Sequence, residues 1–315
     1  MTSIVPINQA TISEAVDVLK NGGLVGLPTE TVYGLAADAT DGEAVAGIFA
    51  VKNRPTFNPL ISHVTGPGMA RNHVRFSPLA EIFAEAFWPG PLTLVLPRRE
   101  SSTIHPLATA GLSTLAMRAP AHSAARQVLH ALGRPLAAPS ANPSGKLSPT
   151  RAQHVLDGLG DAVSLILDGG ACSIGLESTV VEVRGERPYL LREGAITRED
   201  LEEVCGQALQ DAGEEIRAPG QLLAHYAPDA PVRLNVEKAR PEEFMIGFGP
   251  IDGDTTLSGS GSLQEAAKNL FATLAEANAR HATAIAVAPI PEKGLGRAIN
   301  DRLRRAAVGS AAAPD

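Results

Sequence analysis

Lys52, Arg54, Asn58 and His63 crowd into one short stretch. Two cations separated by one residue at a helix end can reach one polyanion together, and the planar fork of arginine suits phosphate. A solvated helix C terminus, where the dipole favours cations, accounts for Lys52 and Arg54 equally well. Asn58 and His63 tilt the reading toward a site, because they add polar groups where the chain re-enters the core. The run from Pro139 through Ser140, Ala141, Asn142 and Gly145 to Ser148 packs hydroxyls, an amide and open backbone N–H groups into a tight turn. Such a turn can cradle a phosphate or a ribose, although an ordinary connecting loop uses the same residues. Gly145-Lys146 does not make a Walker A loop, since Ser140 stands where the first glycine belongs and Leu147 where Ser or Thr belongs.

Two further groups are open to a bland reading. Ser178 and Thr179 open a strand after Glu177, where β-favouring residues are ordinary. Arg118 closes the run TLAMR and Arg192 the run LLR, and a strand-terminal arginine commonly just meets solvent. His63 is the only histidine inside any of these clusters, and no histidine pair has metal-ligand spacing. There is no Ser-His-Asp order and no G-x-S-x-G elbow, so nothing marks a covalent nucleophile.

The elements that must position these groups alternate irregularly. Thr11 and Glu14 form a capping-box pattern ahead of Ile12, Ala15, Val16 and Leu19, and Gly22-Gly23 stop that helix. Leu24–Leu27 reads as a strand broken at Pro28, followed by a turn and a helix over about 42–52. Strands are predicted at Leu60–Val64, Leu92–Leu96, Thr114–Arg118, Leu136–Ala138, Val163–Leu167, Thr179–Val183 and Tyr189–Leu191. Ser77, Thr150 and Thr197 read as helix caps, and His122–Leu132 as a helix. This mixture predicts an α/β fold with a twisted, open, mixed sheet flanked by helices. Polar groups at strand ends are where such a sheet puts its crevice.

Residues 206–231 have a linker composition rich in Pro and Gly. Beyond them comes a smaller α/β unit: strands at Val232–Leu234, Phe244–Phe248 and Ala284–Ala288, and helices over about 262–280 and 295–307. The expected division is therefore 1–205, a linker at 206–231, and 232–315. The last residues, GSAAAPD, are expected to be disordered. With 315 residues the chain can bury two cores, and its net charge of −7 argues against binding nucleic acid by bulk charge. Cys172 and Cys205 form no C-x-x-C pair, which fits a reducing compartment. No basic-apolar leader and no stretch of membrane-spanning length is present in the sequence, so a cytoplasmic protein with no membrane partner is expected.

Six motifs in order, PTETVYGL (28–35), KNRPTFNPL (52–60), TLAMRAP (114–120), PSANPSG (139–145), ESTVV (177–181) and LREGAI (191–196), resemble the YrdC-like family of L-threonylcarbamoyladenylate synthases over residues 15–205. The family's Lys-x-Arg and Ser-x-Asn signatures match Lys52/Arg54 and Ser140/Asn142. APGQLLAHYAP (218–228) resembles the linker of the two-domain form, with Ala218 and Gln221 departing from its commonest pattern, and GLGRAINDRLRRAA (294–307) resembles the end of its C-terminal domain.

The resemblance implies a YrdC-like fold plus a small Rossmann-like α/β C-terminal domain. The implied reaction joins L-threonine, bicarbonate and ATP into threonylcarbamoyl-AMP with release of pyrophosphate. A partner complex then transfers the threonylcarbamoyl group to tRNA. It assigns Thr31, His63, Arg118, Ala138 and Ser178 to threonine. Lys52, Arg54, Asn58, Thr114, Ser140, Asn142, Ser148, Arg192 and the linker's Tyr226 go to ATP. Lys52 and Arg54 are expected to stabilise developing negative charge. Mg²⁺ is expected to travel with ATP rather than in a protein cage, and a weak direct contact with tRNA is left open. Two rivals differ in class. A nonenzymatic RNA-binding module would use the cationic groove, but only eight Phe, three Tyr and one Trp are available for base stacking. A carbamoyl-adenylate enzyme of hydrogenase maturation would need zinc-binding cysteines that this chain lacks.

Overall fold

The computed structural model describes residues 2–211 and 225–311, so Ala218 and Gln221 lie outside the described residues. In chain order the first half runs β1 (Ser3–Pro6), α1 (Gln9–Lys20), β2 (Val25–Leu27), β3 (Gly34–Asp38), α2 (Gly42–Lys52), β4 (Ile61–His63), α3 (Pro67–Ala70), α4 (Pro78–Phe87), β5 (Leu92–Pro97), α5 (Pro106–Thr109) and β6 (Thr114–Arg118). There follow α6 (Ser123–Leu132), β7 (Leu136–Ala137), α7 (Ala152–Leu159), β8 (Leu165–Asp168), β9 (Thr179–Arg184), β10 (Arg187–Arg192), α8 (Arg198–Cys205) and β11 (Gln210–Asp211). The C-terminal unit adds β12 (Val232–Arg233), β13 (Phe244–Gly247), β14 (Thr255–Thr256), α9 (Leu263–Ala279), β15 (Ile285–Val287) and α10 (Leu295–Ala311).

Among the described residues, eleven strands form one mixed sheet in the order β1-β8-β2-β3-β7-β4-β6-β5-β9-β10-β11. The other four, β12-β15-β13-β14, pair only in parallel. The first is the mixed sheet expected, and the second fits the smaller α/β unit expected after it. The large sheet buries Leu35, Ala37, Leu94 and Met117 against Val45, Ile48 and Phe83 of the helices on one side. On the other, Val25, Leu27 and Leu165 pack with Ile12, Leu19, Val128 and Leu129. Removal of one such buried leucine typically costs 2–5 kcal/mol, about a third of a domain's net stability. The C-terminal unit has its own core around Ile246, Leu270, Phe271, Ile285 and Leu303.

Several boundaries differ from the sequence expectation. Asn8, not Thr11, caps α1: its side chain accepts from Ala10 N and Thr11 N, while Thr11 Oγ1 accepts from Asn8 N at 3.0 Å. The capping box exists, shifted three residues toward the N terminus. Arg151 rather than Thr150 precedes α7, and Thr150 N instead donates to His154 Nδ1 at 3.3 Å. β3 lies between the predicted turn and the helix over about 42–52, where no strand is predicted, because GLAAD is buried along its whole length and shows no alternation. Within the expected linker, Gln210–Asp211 adds a strand to β10. Gly309–Ala311 of the expected disordered tail are helical, with Ser310 Oγ accepting from Val232 N at 3.1 Å, while residues 312–315 lie outside the described residues.

Candidate active site

Sheet register builds the floor of the site. β4 pairs in parallel with β6, which sets His63 beside Arg118, and antiparallel with β7, which sets Ser62 beside Ala137. Ala138 N donates to Ile61 O at 3.0 Å, and Ser140 bridges to Gly34. The C-terminal ends of β4 and β6, the turn after β7, and the residues entering β9 therefore converge on one point. A cavity of about 50 Å³ opens there, lined by Thr31, Val32, Arg54, Ile61, His63, Arg118, Ala138, Pro139, Ser140, Glu177, Ser178, Arg192, His225 and Tyr226.

Nine of the residues expected at the site thus line this one cavity. Arg118 is held hard: Nη2 pairs with Glu30 Oε1 at 2.5 Å, Nη1 donates to Thr31 Oγ1 at 2.9 Å, and Nε donates to Gly90 O at 3.2 Å. Burial would raise the Glu30 carboxyl, but the charge and hydrogen bond of Arg118 bring it below its ordinary value. Arg192 clamps Ser178, donating to its carbonyl at 2.8 Å and to its hydroxyl at 3.1 Å. Ser178 Oγ also meets Thr93 Oγ1 at 2.8 Å.

α2 ends at Asn53, whose φ of 48° is left-handed, and the cations on either side of it diverge. Arg54 turns into the cavity, anchored by Asn58 O at 3.1 Å and Pro59 O at 2.8 Å. Burial pushes it down to about 10, and Arg192 adds to the effect. Lys52 points instead into the 140–142 turn, donating to Ser140 O at 2.6 Å and to Asn142 O. It is 1% exposed, and burial followed by the charge of Arg54 holds it well below the usual lysine range. The two cations therefore do not face one anion side by side. Lys52 shapes the turn, and Arg54 faces the space.

Four other expected residues also stand off the cavity wall. Asn142 and Ser148 line a neighbouring cavity of about 480 Å³ with Lys146, His154, Asp229 and Asn278. Asn58 acts through its carbonyl on Arg54. Thr114 sits at the far end of β6, about 13 Å from Arg118 at the usual strand rise.

Among the described residues, several buried polar atoms here have no hydrogen-bond partner: both side-chain atoms of Asn58, Ser62 Oγ, both ring nitrogens of His63, Asn142 Oδ1 and His225 Nδ1. Buried polar atoms are nearly always paired, so the open nitrogens of His63 and His225, the two of these residues that line the cavity, are the ones a polar ligand there could meet. Burial, then Arg118, holds His63 far below the usual histidine value, which keeps the ring neutral.

The roof is His225 and Tyr226, with ring centroids 4.1 Å apart. Tyr226 has a left-handed φ of 61°, packs on Phe271 at 5.5 Å, and is 1% exposed. Ala227 N donates to Gly145 O at 2.8 Å, tying this strap to the turn.

Sequence reasoning missed Glu30, Glu177, His225 and Arg302. Glu30 and Glu177 lie inside the motifs PTETVYGL and ESTVV, but their arginine partners are 88 and 125 residues away. No local spacing announces them. Among the described residues no group of three His, Cys, Asp or Glu could hold a metal ion, and no helix is long and apolar enough to cross a membrane.

Comparison with known proteins places this geometry. Residues 17–194 match the Sua5/YciO/YrdC family model, described as telomere recombination, and residues 196–308 match the model described as threonylcarbamoyl-AMP synthase, C-terminal domain. The threonylcarbamoyl-AMP synthase of Pyrococcus abyssi is 39% identical, with 95% of each chain covered. That of Bacillus subtilis is 36% identical over 98% of this chain and 96% of the relative. The crystal structure of P. abyssi Sua5 complexed with L-threonine superposes with a TM-score of 0.89 at 37% identity, covering 98% of each chain. Fold and full-length likeness to these synthases define an enzyme of the nucleotidyltransferase type. The chain belongs to the Sua5/YciO/YrdC family, in the form that carries the Sua5 C-terminal domain.

Proposed function

We propose that this enzyme condenses L-threonine, bicarbonate and ATP into threonylcarbamoyl-AMP and pyrophosphate, supplying the threonylcarbamoyl group for modification of tRNA by a separate transferase complex. One observation carries the reading: a single cavity gathers Thr31, His63, Arg118, Ala138 and Ser178, the set expected for threonine, with Arg54, Ser140, Arg192 and Tyr226 of the set expected for ATP.

Threonine brings a carboxylate, an amine and a hydroxyl, each of which needs a partner once desolvated. Arg118, already oriented by Glu30 and Gly90, meets the carboxylate. The unpartnered nitrogens of neutral His63 can pair with the amine-derived carbamate or the hydroxyl without adding a competing charge. Bicarbonate and the threonine amine give a carbamate with loss of water. A carbamate oxygen then attacks the α-phosphorus, forming the new P–O bond as the bond to pyrophosphate breaks. No protein nucleophile is required, only positioning and charge stabilisation. Arg54 and Arg192 face the growing charge, and Lys52 keeps the 140–142 turn in shape. Mg²⁺ fits as a companion of the ATP phosphates. The nearby carboxylates Glu30 and Glu177 are already occupied by arginines, so this chain would contribute phosphate-facing cations rather than a cage.

A cavity of 50 Å³ is well below the ~300 Å³ at which ligand pockets begin. ATP therefore enters only if the His225–Tyr226 roof moves aside, and its return would shield the carbamate and the adenylate from water. The test is pyrophosphate release from ATP with threonine and bicarbonate each withheld in turn. Release that needs both supports the reaction, and release indifferent to threonine removes the amino-acid pocket from it.

A further inference from the structure

The cavity borrows a residue from the far end of the chain. Arg302 of α10 has a side chain with no exposed surface. Its Nε donates to Glu177 Oε2 at 2.8 Å, its Nη2 to Glu193 O at 2.8 Å and its Nη1 to Asp301 Oδ2 at 2.5 Å. The guanidinium carbon stands 5.1 Å from the centroid of the Tyr226 ring. Glu177 in turn accepts the Ser148 hydroxyl through its other oxygen at 2.5 Å. Glu177 and Tyr226 line the cavity, whereas Arg302 does not.

Taking an arginine wholly out of water is unfavourable unless good geometry and full pairing compensate. An arginine that merely joined two units could use any surface carboxylate. This one takes the carboxylate that fixes Ser148, and it lies against the ring that roofs the cavity. Docking leaves little room for slack. A Cβ on Gly309 would lie 2.9 Å from Ala227 Cβ, and one on Gly175 would lie 2.4 Å from the Lys268 carbonyl oxygen on α9. Burial would raise the Glu177 carboxyl, but Arg302 and then Arg192 bring it below its ordinary value, so it stays an anion for Arg302 to hold.

We propose that Arg302 is a positioning residue, which from α10 steadies the Glu177 carboxylate and the Tyr226 ring and so assembles the nucleotide side of the cavity. The proposal rests on reading the cavity as a site for threonine and ATP. The threonine side is built from Arg118, Glu30 and Thr31 of the large-sheet unit, with Ser178, next to Glu177, clamped separately by Arg192. Changes at Arg302 must therefore separate the two substrates.

The test measures KM for ATP and for threonine by pyrophosphate release from the full chain, in wild type, Arg302→Lys and Arg302→Met, with a melting temperature for each. The expected result is an ATP KM raised about tenfold or more in Arg302→Met, partial recovery in Arg302→Lys, and a threonine KM within about twofold of wild type. In a Tyr226→Ala background, Arg302→Lys should raise the ATP KM by a smaller factor than it does in wild type, because of the two groups Arg302 steadies only Glu177 remains. Parallel changes in both KM values, or an unchanged ATP KM in folded Arg302→Lys, overturn the proposal. If Arg302→Met does not fold, the lysine variant and the Tyr226 cycle still decide. A wild type that releases no pyrophosphate overturns the reading of the site itself, whereas a failure of Arg302 alone leaves wild type active.

Discussion

The floor of the cavity comes from neighbouring strands of one sheet, whereas its roof is a two-residue strap wedged between two units. On the floor, register alone sets His63 beside Arg118, and both ring nitrogens of His63 stand without partners among the described residues. On the roof, Tyr226 is packed by Phe271 and Arg302, and the backbone at Ala227 is tied to Gly145. The floor presents unmet hydrogen-bonding capacity to a ligand. The roof uses its contacts to hold itself shut. On the proposed reading, threonine would meet fixed groups, and ATP would meet groups that part and return.

The sharpest way to break this contrast is at Arg118. Arg118→Met should lower threonine-dependent turnover by about 10²–10³. It should also cost roughly 3–5 kcal/mol of stability by leaving Glu30 buried and unpaired. Chemical denaturation alongside kinetics reads both, and a stable, active variant would dismiss the floor as the recognition surface. Arg54→Ala should match the loss of turnover on the order of 10²–10³ while melting near wild type, since its anchors are only loop carbonyls. Lys52→Ala should lose turnover and stability together, because its ammonium joins two carbonyls of the 140–142 turn. Equal melting temperatures for the Lys52 and Arg54 variants would contradict this division of roles.

The pH dependence tests both regions at once. Burial keeps His63 well below 6.5 and pushes His225 to about 3, with Lys52 and Arg54 also disfavouring its charge. The unfolded chain takes up these protons near pH 6.5 and the folded chain does not. Stability should therefore fall as pH drops below 6.5, by up to about 1.4 kcal/mol per pH unit for each histidine. Glu30 and Glu177 titrate below 4.5, so their contribution is complete above that value and fades only as pH falls through their lowered values. Melting scans between about pH 7.5 and about pH 5.5 should slope less steeply for His225→Gln than for wild type. Identical slopes would mean that the roof histidine is not held neutral by the fold. The smallest effect belongs to Lys146→Ala. Its ion pair with Asp229 is 2.8 Å long, but the two side chains are 51% and 70% exposed, so the loss should stay under about 1 kcal/mol in a melting curve.

Much of this was legible in the sequence where a signal is local. Ser77 and Thr197 cap the helices expected of them, and β6 has the boundaries its pattern predicts. Arg54, His63 and Ser140 were readable as candidates from local clusters of polar groups, whereas Arg118, Ser178 and Arg192 each fitted a bland reading alone and stood out only when the six motifs were taken together. β3 was hidden because a strand buried on both faces shows no period of two. Divergence of Lys52 and Arg54 was hidden too, since it depends on the left-handed turn at Asn53. The roles of Glu30, Glu177 and Arg302 arise from pairings across 88 and 125 residues. Only the fold makes those neighbours.

The most direct measurement follows the carbon. Wild-type enzyme given ATP, threonine and carbon-13 bicarbonate should yield an AMP conjugate that carries the heavy carbon, seen by mass spectrometry, together with pyrophosphate. An AMP conjugate of threonine without the heavy carbon would mean that the carboxylate, not a carbamate, attacks the α-phosphorus, and would contradict the chemistry assigned to the cavity.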